Sequence, residues 1–145
     1  MPVANNSADL EQMIIQQMQK AMQETQRRVE NDMLRETQSF YSQGSPHWYT
    51  RTGGIGRTPK TTGITSGGTS VSFEAYLDEN QGWYGAGNPN PAFTSRGFPS
   101  NFSPLQVLTA AENSTNYVLG RGGFWQRTLV DIEKDINTVF GSYFN

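Results

Sequence analysis

Apolar positions divide the chain into stretches of different periodicity. Between residues 8 and 43 they recur at Leu10, Ile14, Met18, Met22, Val29, Met33 and Phe40, with Ala21 and Thr25 on the same stripe. Steps of mostly three and four residues mark one face of a helix. Ser7 stands at the N-cap position, and Asp9 and Glu11 fall in the first turn, where the helix dipole favours acids. Gly44 followed by Pro46 stops the pattern. The spacing predicts one helix over 7–43, about 50 Å long at a rise of 1.5 Å per residue. A domain of this size is only about 30 Å wide. The helix therefore kinks or projects beyond its own domain. Its N-terminal half carries a narrow Met and Ile stripe flanked by Gln, which suits packing on a neighbouring subunit. Residues 1–6 are expected to form a flexible N-terminus.

Residues 44–123 hold 14 of the 15 glycines and six of the seven prolines. Here the period shortens to two. Lys60–Thr65 and Ser70–Asp78 read as two strands joined by Ser66-Gly67-Gly68-Thr69, a strong hairpin signal. Val71, Phe73, Ala75 and Leu77 alternate with Ser72, Glu74 and Tyr76, so one sheet face is buried and the other is polar. The first and last helices are expected to dock on the buried face. Residues 79–103 form an extended loop containing Trp83, Tyr84, Phe93, Phe98 and Phe102. Loops this long are uncommon in compact domains unless they serve a function. Ser103-Pro104 starts a short helix to about Glu112, with Leu105, Leu108 and Ala111 inward. Asn116–Leu119 reads as a short strand, and Gly120-Arg121-Gly122-Gly123 as a flexible turn. The final helix places Trp125, Thr128, Leu129, Ile132, Ile136, Val139, Phe140 and Tyr143 on a core stripe. Asp131, Glu133, Lys134 and Asp135 fall opposite, as a solvated face. The predicted fold is a single α+β domain over 1–145. It has a long N-terminal helix, a small, mostly antiparallel sheet, and a short helix and a C-terminal helix packed on one sheet face.

Composition narrows the chemistry. The chain has no cysteine and one histidine, His47. Disulfides, thiolate zinc sites and cysteine catalysis are excluded, as is a three-histidine zinc site within one chain. A net charge of −2 supplies no global basic field for nucleic acid. There is no run of about 18 apolar residues and no signal-like start, so no membrane association is expected. Hydrophobic residues make up 34% of the chain, low for a self-contained domain, so partners are expected to supply part of the burial.

No candidate catalytic group completes a constellation. Asp131 and Asp135 are spaced to share a cation but lack the further ligands of a metal site. Glu74 has no opposed carboxylate in a cleft. His47 sits beside Trp48 without a nucleophile motif nearby. The segment Tyr49–Arg57 is glycine-rich but lacks the Gly-Lys-Ser/Thr ending of a phosphate loop. Between Glu36 and Glu74 every formal charge is positive, at Arg51, Arg57 and Lys60. The reading is a non-enzymatic protein without cofactor or metal. Arg51, Arg57, Trp83, Tyr84 and Phe93 are the residues expected to contact partners.

Three features in order carry a resemblance. They are Tyr49-x-Arg51-Thr52-Gly53-Gly54-Ile55-Gly56 after a long helix, the alternating hairpin behind it, and Gly120-Arg121-Gly122-Gly123-Phe124-Trp125-Gln126-Arg127-Thr128-Leu129 opening the last helix. Over about residues 40–145 this order resembles the neck and tail-completion proteins of long-tailed bacteriophages, including head–tail joining and tail-terminator proteins. The aromatic insert at 79–103 departs from that pattern. The resemblance implies a virion protein assembled in the cytoplasm of the host bacterium. It implies a homo-oligomeric ring, usually of six or twelve copies, at the head–tail neck or tail end. The ring would contact other connector or tail proteins and let DNA pass through its lumen without sequence-specific binding. The competing expectation is a carbohydrate- or host-surface-binding module that uses exposed aromatics such as Trp83 and Tyr84.

Overall fold

A computed structural model of the chain describes residues 3–44, 53–80, 104–114 and 120–144. The fold is α+β, as the periodicity predicts. Helix α1 spans Ser7–Ser39 and tightens into a 3-10 turn at Phe40–Ser42. Gly44 follows at φ 76°, the left-handed conformation expected past a helix end. The N-cap is Asn6 and not Ser7. Asn6 is extended, and its side-chain oxygen accepts the Asp9 N–H at 2.9 Å, while the Asp9 carboxylate accepts the Asn5 N–H at 3.3 Å.

The buried row of α1 is Ala21, Thr25, Val29, Met33 and Thr37, one residue in every four. Each such step turns about 40° past a full turn, so the row winds around the helix and serves two neighbours. One neighbour is the hairpin. Strands β1 (Pro59–Thr61) and β4 (Ala75–Leu77) pair antiparallel, and β2 (Thr65–Gly67) pairs antiparallel with β3 (Ser70–Ser72). The two expected strands are thus four short ones. Between the pairs Thr61↔Ala75 and Thr65↔Ser72, residues 62–64 oppose 73–74, which puts one extra residue in the first strand. At this break the Glu74 N–H bonds to the Thr62 hydroxyl at 2.8 Å instead of a ladder carbonyl. The predicted alternation survives: Val71 is buried, and Phe73, Ala75 and Leu77 are half-buried, while Ser72, Glu74 and Tyr76 are exposed. Gln26 of α1 ties the hairpin down through the Thr62 carbonyl at 2.7 Å, and Glu30 accepts the Thr61 hydroxyl.

The other neighbour of α1 is the C-terminal helix α3 (Phe124–Phe144), which runs antiparallel to it. The direction follows from the bonds that join them: Glu36 to Arg127, Arg35 to Asp131 and Gln17 to the Tyr143 carbonyl. The short helix α2 (Pro104–Asn113) closes the end where α1 stops and α3 begins. There the core gathers Phe40, Ile55, Val107, Leu108, Ala110, Ala111 and Phe124. The Phe40 and Phe124 rings meet edge to face at 6.1 Å. Of the residues expected to face inward from α2, Leu108 and Ala111 do so, but Leu105 is 61% exposed. The expected strand at 116–119 lies outside the described residues.

The turn before α3 is a packed joint and not a flexible one. Gly120 lies against the Phe40 ring so closely that a Cβ there would sit 2.3 Å from the ring edge. A Cβ on Gly122 would fall 2.4 Å from the Glu112 carbonyl. The Arg121 N–H bonds to the Phe40 carbonyl and the Gly123 N–H to the Glu112 carbonyl, both at 2.8 Å. Glu112 then caps α3 from another element, its carboxylate accepting the Trp125 N–H at 2.8 Å and the Gln126 N–H at 3.3 Å.

Candidate functional site

The geometry concentrates on two features: exposed apolar stretches on two helices, and a charged seam between them. Near the last turn of α3, Gln17 of α1 reaches the Tyr143 carbonyl. Residues 7–16 of α1 run on beyond that point by about 15 Å at the helical rise and have no antiparallel helix beside them among the described residues. On this overhang Leu10 is 50% exposed and Ile14 is 44% exposed. By helical rotation both lie on the side of α1 that, further along, receives α3. The exposed Leu10 and Ile14 thus prolong the face that packs inside the protein.

Helix α3 shows a second exposed set. Leu129, Ile136 and Phe144 are exposed and Phe140 is half-buried, with the Phe140 and Phe144 rings stacked at 5.8 Å. Leu129 and Ile136 were expected in the core stripe. The stripe centres instead on Phe124, Thr128 and Val139, which are buried against α1 and the core, so the aliphatic side turns outward. Correspondingly, Asp131 and Asp135 are not on a solvated face. They are half-buried and turn toward α1, whereas Glu133 and Lys134 are exposed as expected.

The seam between α1 and α3 is built from charges of both signs. Arg35 reaches Asp32 at 2.7 Å and Asp131 at 2.9 Å. Arg127 reaches Glu36 at 2.7 Å, the Gly122 carbonyl at 2.8 Å and the Ser39 hydroxyl at 3.1 Å, joining α1, the glycine turn and α3. Asp135 faces Asp32. Burial, followed by the bond and the charge of Asp32, pushes its carboxyl up to about 6. Among the described residues no group of three or more His, Cys, Asp or Glu is placed to hold a metal ion. No helix among them is long and apolar enough to cross a membrane.

Of the five residues expected to contact partners, Arg57 alone falls within the described part. It ends a short 3-10 turn at Ile55–Arg57 and is exposed, with its guanidinium folded back toward Gly53. The rest of that turn is not a solvated loop. Gly54, Ile55, Gly56 and Thr58 are buried, and the Gly56 N–H bonds to the Tyr41 hydroxyl at 3.1 Å. Arg51, Trp83, Tyr84 and Phe93, together with His47, lie outside the described residues, as does residue 81 onward of the aromatic insert. Near that insert's two ends an open apolar groove of about 330 Å³ separates β4 from α2 and the start of α3, lined by Tyr76, Leu77, Leu105, Leu108 and Trp125. Glu79 lines it too. Neither the outward turn of Leu129 and Ile136 nor the facing of Asp32 and Asp135 was anticipated. The one available signal was Asp135 lying close in helical angle to Thr128 and Val139. Comparison with protein-family models, with curated proteins and with solved structures finds no match.

Proposed function

We propose that the protein is a structural subunit of a long-tailed bacteriophage virion that assembles into a ring at the head–tail neck or the tail end. The observation that carries this reading is the overhang of α1, with Leu10 and Ile14 exposed on the face that packs against α3 elsewhere in the same helix. Burying such a side chain completely from water is worth about 1.5–3 kcal/mol, and about half of each is still exposed for a partner to cover. The exposed Leu129, Ile136 and Phe144 of α3 offer a second, different surface. A ring needs two unlike patches on each subunit, because its interfaces are heterologous and close by rotation. The order of motifs over residues 40–145 supports the phage assignment, and the net charge of −2 suits a lumen through which DNA passes without being held.

The function so described is mechanical and has no catalytic step. Electron microscopy of the purified protein at high concentration tests it. Closed rings of uniform diameter with a central opening are expected. Particles of subunit size at every concentration, also in the presence of a connector ring, would refute the proposal.

A further inference from the structure

Two carboxyl groups meet inside the α1–α3 seam. Asp135 stands on α3 one turn beyond Asp131, and because Arg35 bridges Asp131 to Asp32 it lies on the side of the seam that faces Asp32 of α1, whose carboxylate helps to push the Asp135 carboxyl up. Asp135 Oδ2 is shut off from solvent, and no donor among the described residues bonds to it. An ionised carboxylate only accepts hydrogen bonds. Two ionised carboxylates placed this way repel each other and leave that oxygen unsatisfied. One proton held between them satisfies both.

The surrounding charges do not remove the need for that proton. From α1, Arg35 binds Asp32 but divides itself with Asp131, and it also lies 3.7 Å from Glu36. Glu36 is engaged by Arg127. Arg28, the α1 cation that favours ionisation of Asp135, is bonded to Glu24 at 3.0 Å. From α3, Asp131 adds negative charge beside the pair, and Glu133 and Lys134 are exposed to solvent.

We propose that Asp32 and Asp135 form a proton-operated latch: one shared proton bridges α1 and α3, and its loss loosens the C-terminal half of α3. The latch lies between the Arg35–Asp131 bridge and the Gln17–Tyr143 bond, so it controls the part of the seam that covers Ala21 and Thr25. The direction with pH is fixed. A carboxyl whose folded value is about 6, against an ordinary 3.8, contributes stability that is fully present below 3.8. That contribution is lost as pH rises through about 6. The seam is therefore tightest in mild acid and loosens at neutral pH and above.

The full chain tests this by carboxyl-carbon NMR titration, together with backbone hydrogen exchange corrected for its intrinsic pH dependence. One carboxyl of the pair is expected to titrate near 6. Amides of residues 131–143 should exchange several-fold more slowly at pH 5 than at pH 8, and Asp135→Asn should abolish that difference. Titration of both carboxyls in the ordinary aspartate range overturns the latch. So does exchange of α3 that is independent of pH in the wild type, or an Asp135→Asn protein that keeps the wild-type difference. If Asp135→Asn does not fold, the wild-type titration and exchange decide the matter.

Discussion

Gly120 shows how little side-chain volume the joint between α1 and α3 tolerates. A methyl group there meets the buried Phe40 ring, which is itself held by Phe124 and Tyr41 at its edges. Gly120→Ala is expected to lower stability by about 1–3 kcal/mol, the range for overpacking a core, read as a shift of the denaturant midpoint. Gly67→Ala, in open space on the hairpin, is the matched control. Threonine explains another local feature. Thr25, Thr37 and Thr128 are buried because each hydroxyl bonds to the carbonyl four residues back, at 2.8–2.9 Å, and so carries no unmet polar group into the core. Together with Ala21, Ala110, Ala111 and the close glycines, they let a chain of 34% hydrophobic residues build a core of small side chains. The low apolar fraction is therefore met in part from within. The sequence marked residues 120–123 as a break but not as a contact, because the need for glycine comes from a ring eighty residues away. Asp135 was misplaced for a related reason. Its helical angle sets it among Phe124, Thr128 and Val139, but its charge pointed to solvent, and only the charged groups of α1 across the seam make an inward carboxyl tenable.

At the scale of elements, periodicity located all three described helices, and alternation assigned the hairpin faces correctly. Helix ends and strand continuity were less legible, since they rest on single bonds. Asn6 outcompetes Ser7 as a cap through one bond to Asp9, and the Thr62 hydroxyl interrupts the ladder by taking the Glu74 N–H. The cap of α3 could not be read locally at all, because Glu112 comes from α2. Glu112→Ala is expected to cost about 1 kcal/mol, the usual worth of an N-cap, and to raise hydrogen exchange in the first turn of α3. Glu112→Gln, which keeps an acceptor, should recover part of it. Arg127 joins three elements at once, so Arg127→Ala is expected to cost more, about 2–3 kcal/mol. That is the range for stranding a largely shielded partner such as Glu36. Equal losses for Arg127→Ala and for Arg27→Ala, whose bridge to Glu24 is exposed, would contradict that ranking.

At the scale of the whole molecule, the proposed role requires that the subunit complete itself by association. Its longest helix, about 50 Å by its rise, outreaches the helix packed against it, and the apolar stripe continues onto the overhang. Length and stripe were both visible in the sequence. Which residues remain uncovered was not, because that depends on where α3 meets α1. The most direct test is the solution mass by light scattering across a concentration series, for the wild type and for Leu10→Asp/Ile14→Asp. Both substitutions lie on the overhang at about half-exposed positions, so the circular dichroism spectrum and melting temperature of the variant should stay close to those of the wild type. The wild type is predicted to grow toward a species of six or more subunits, and the variant to stay at the subunit mass over the same range. A wild type that is monomeric throughout, or a variant that assembles as readily as the wild type, would contradict the claim.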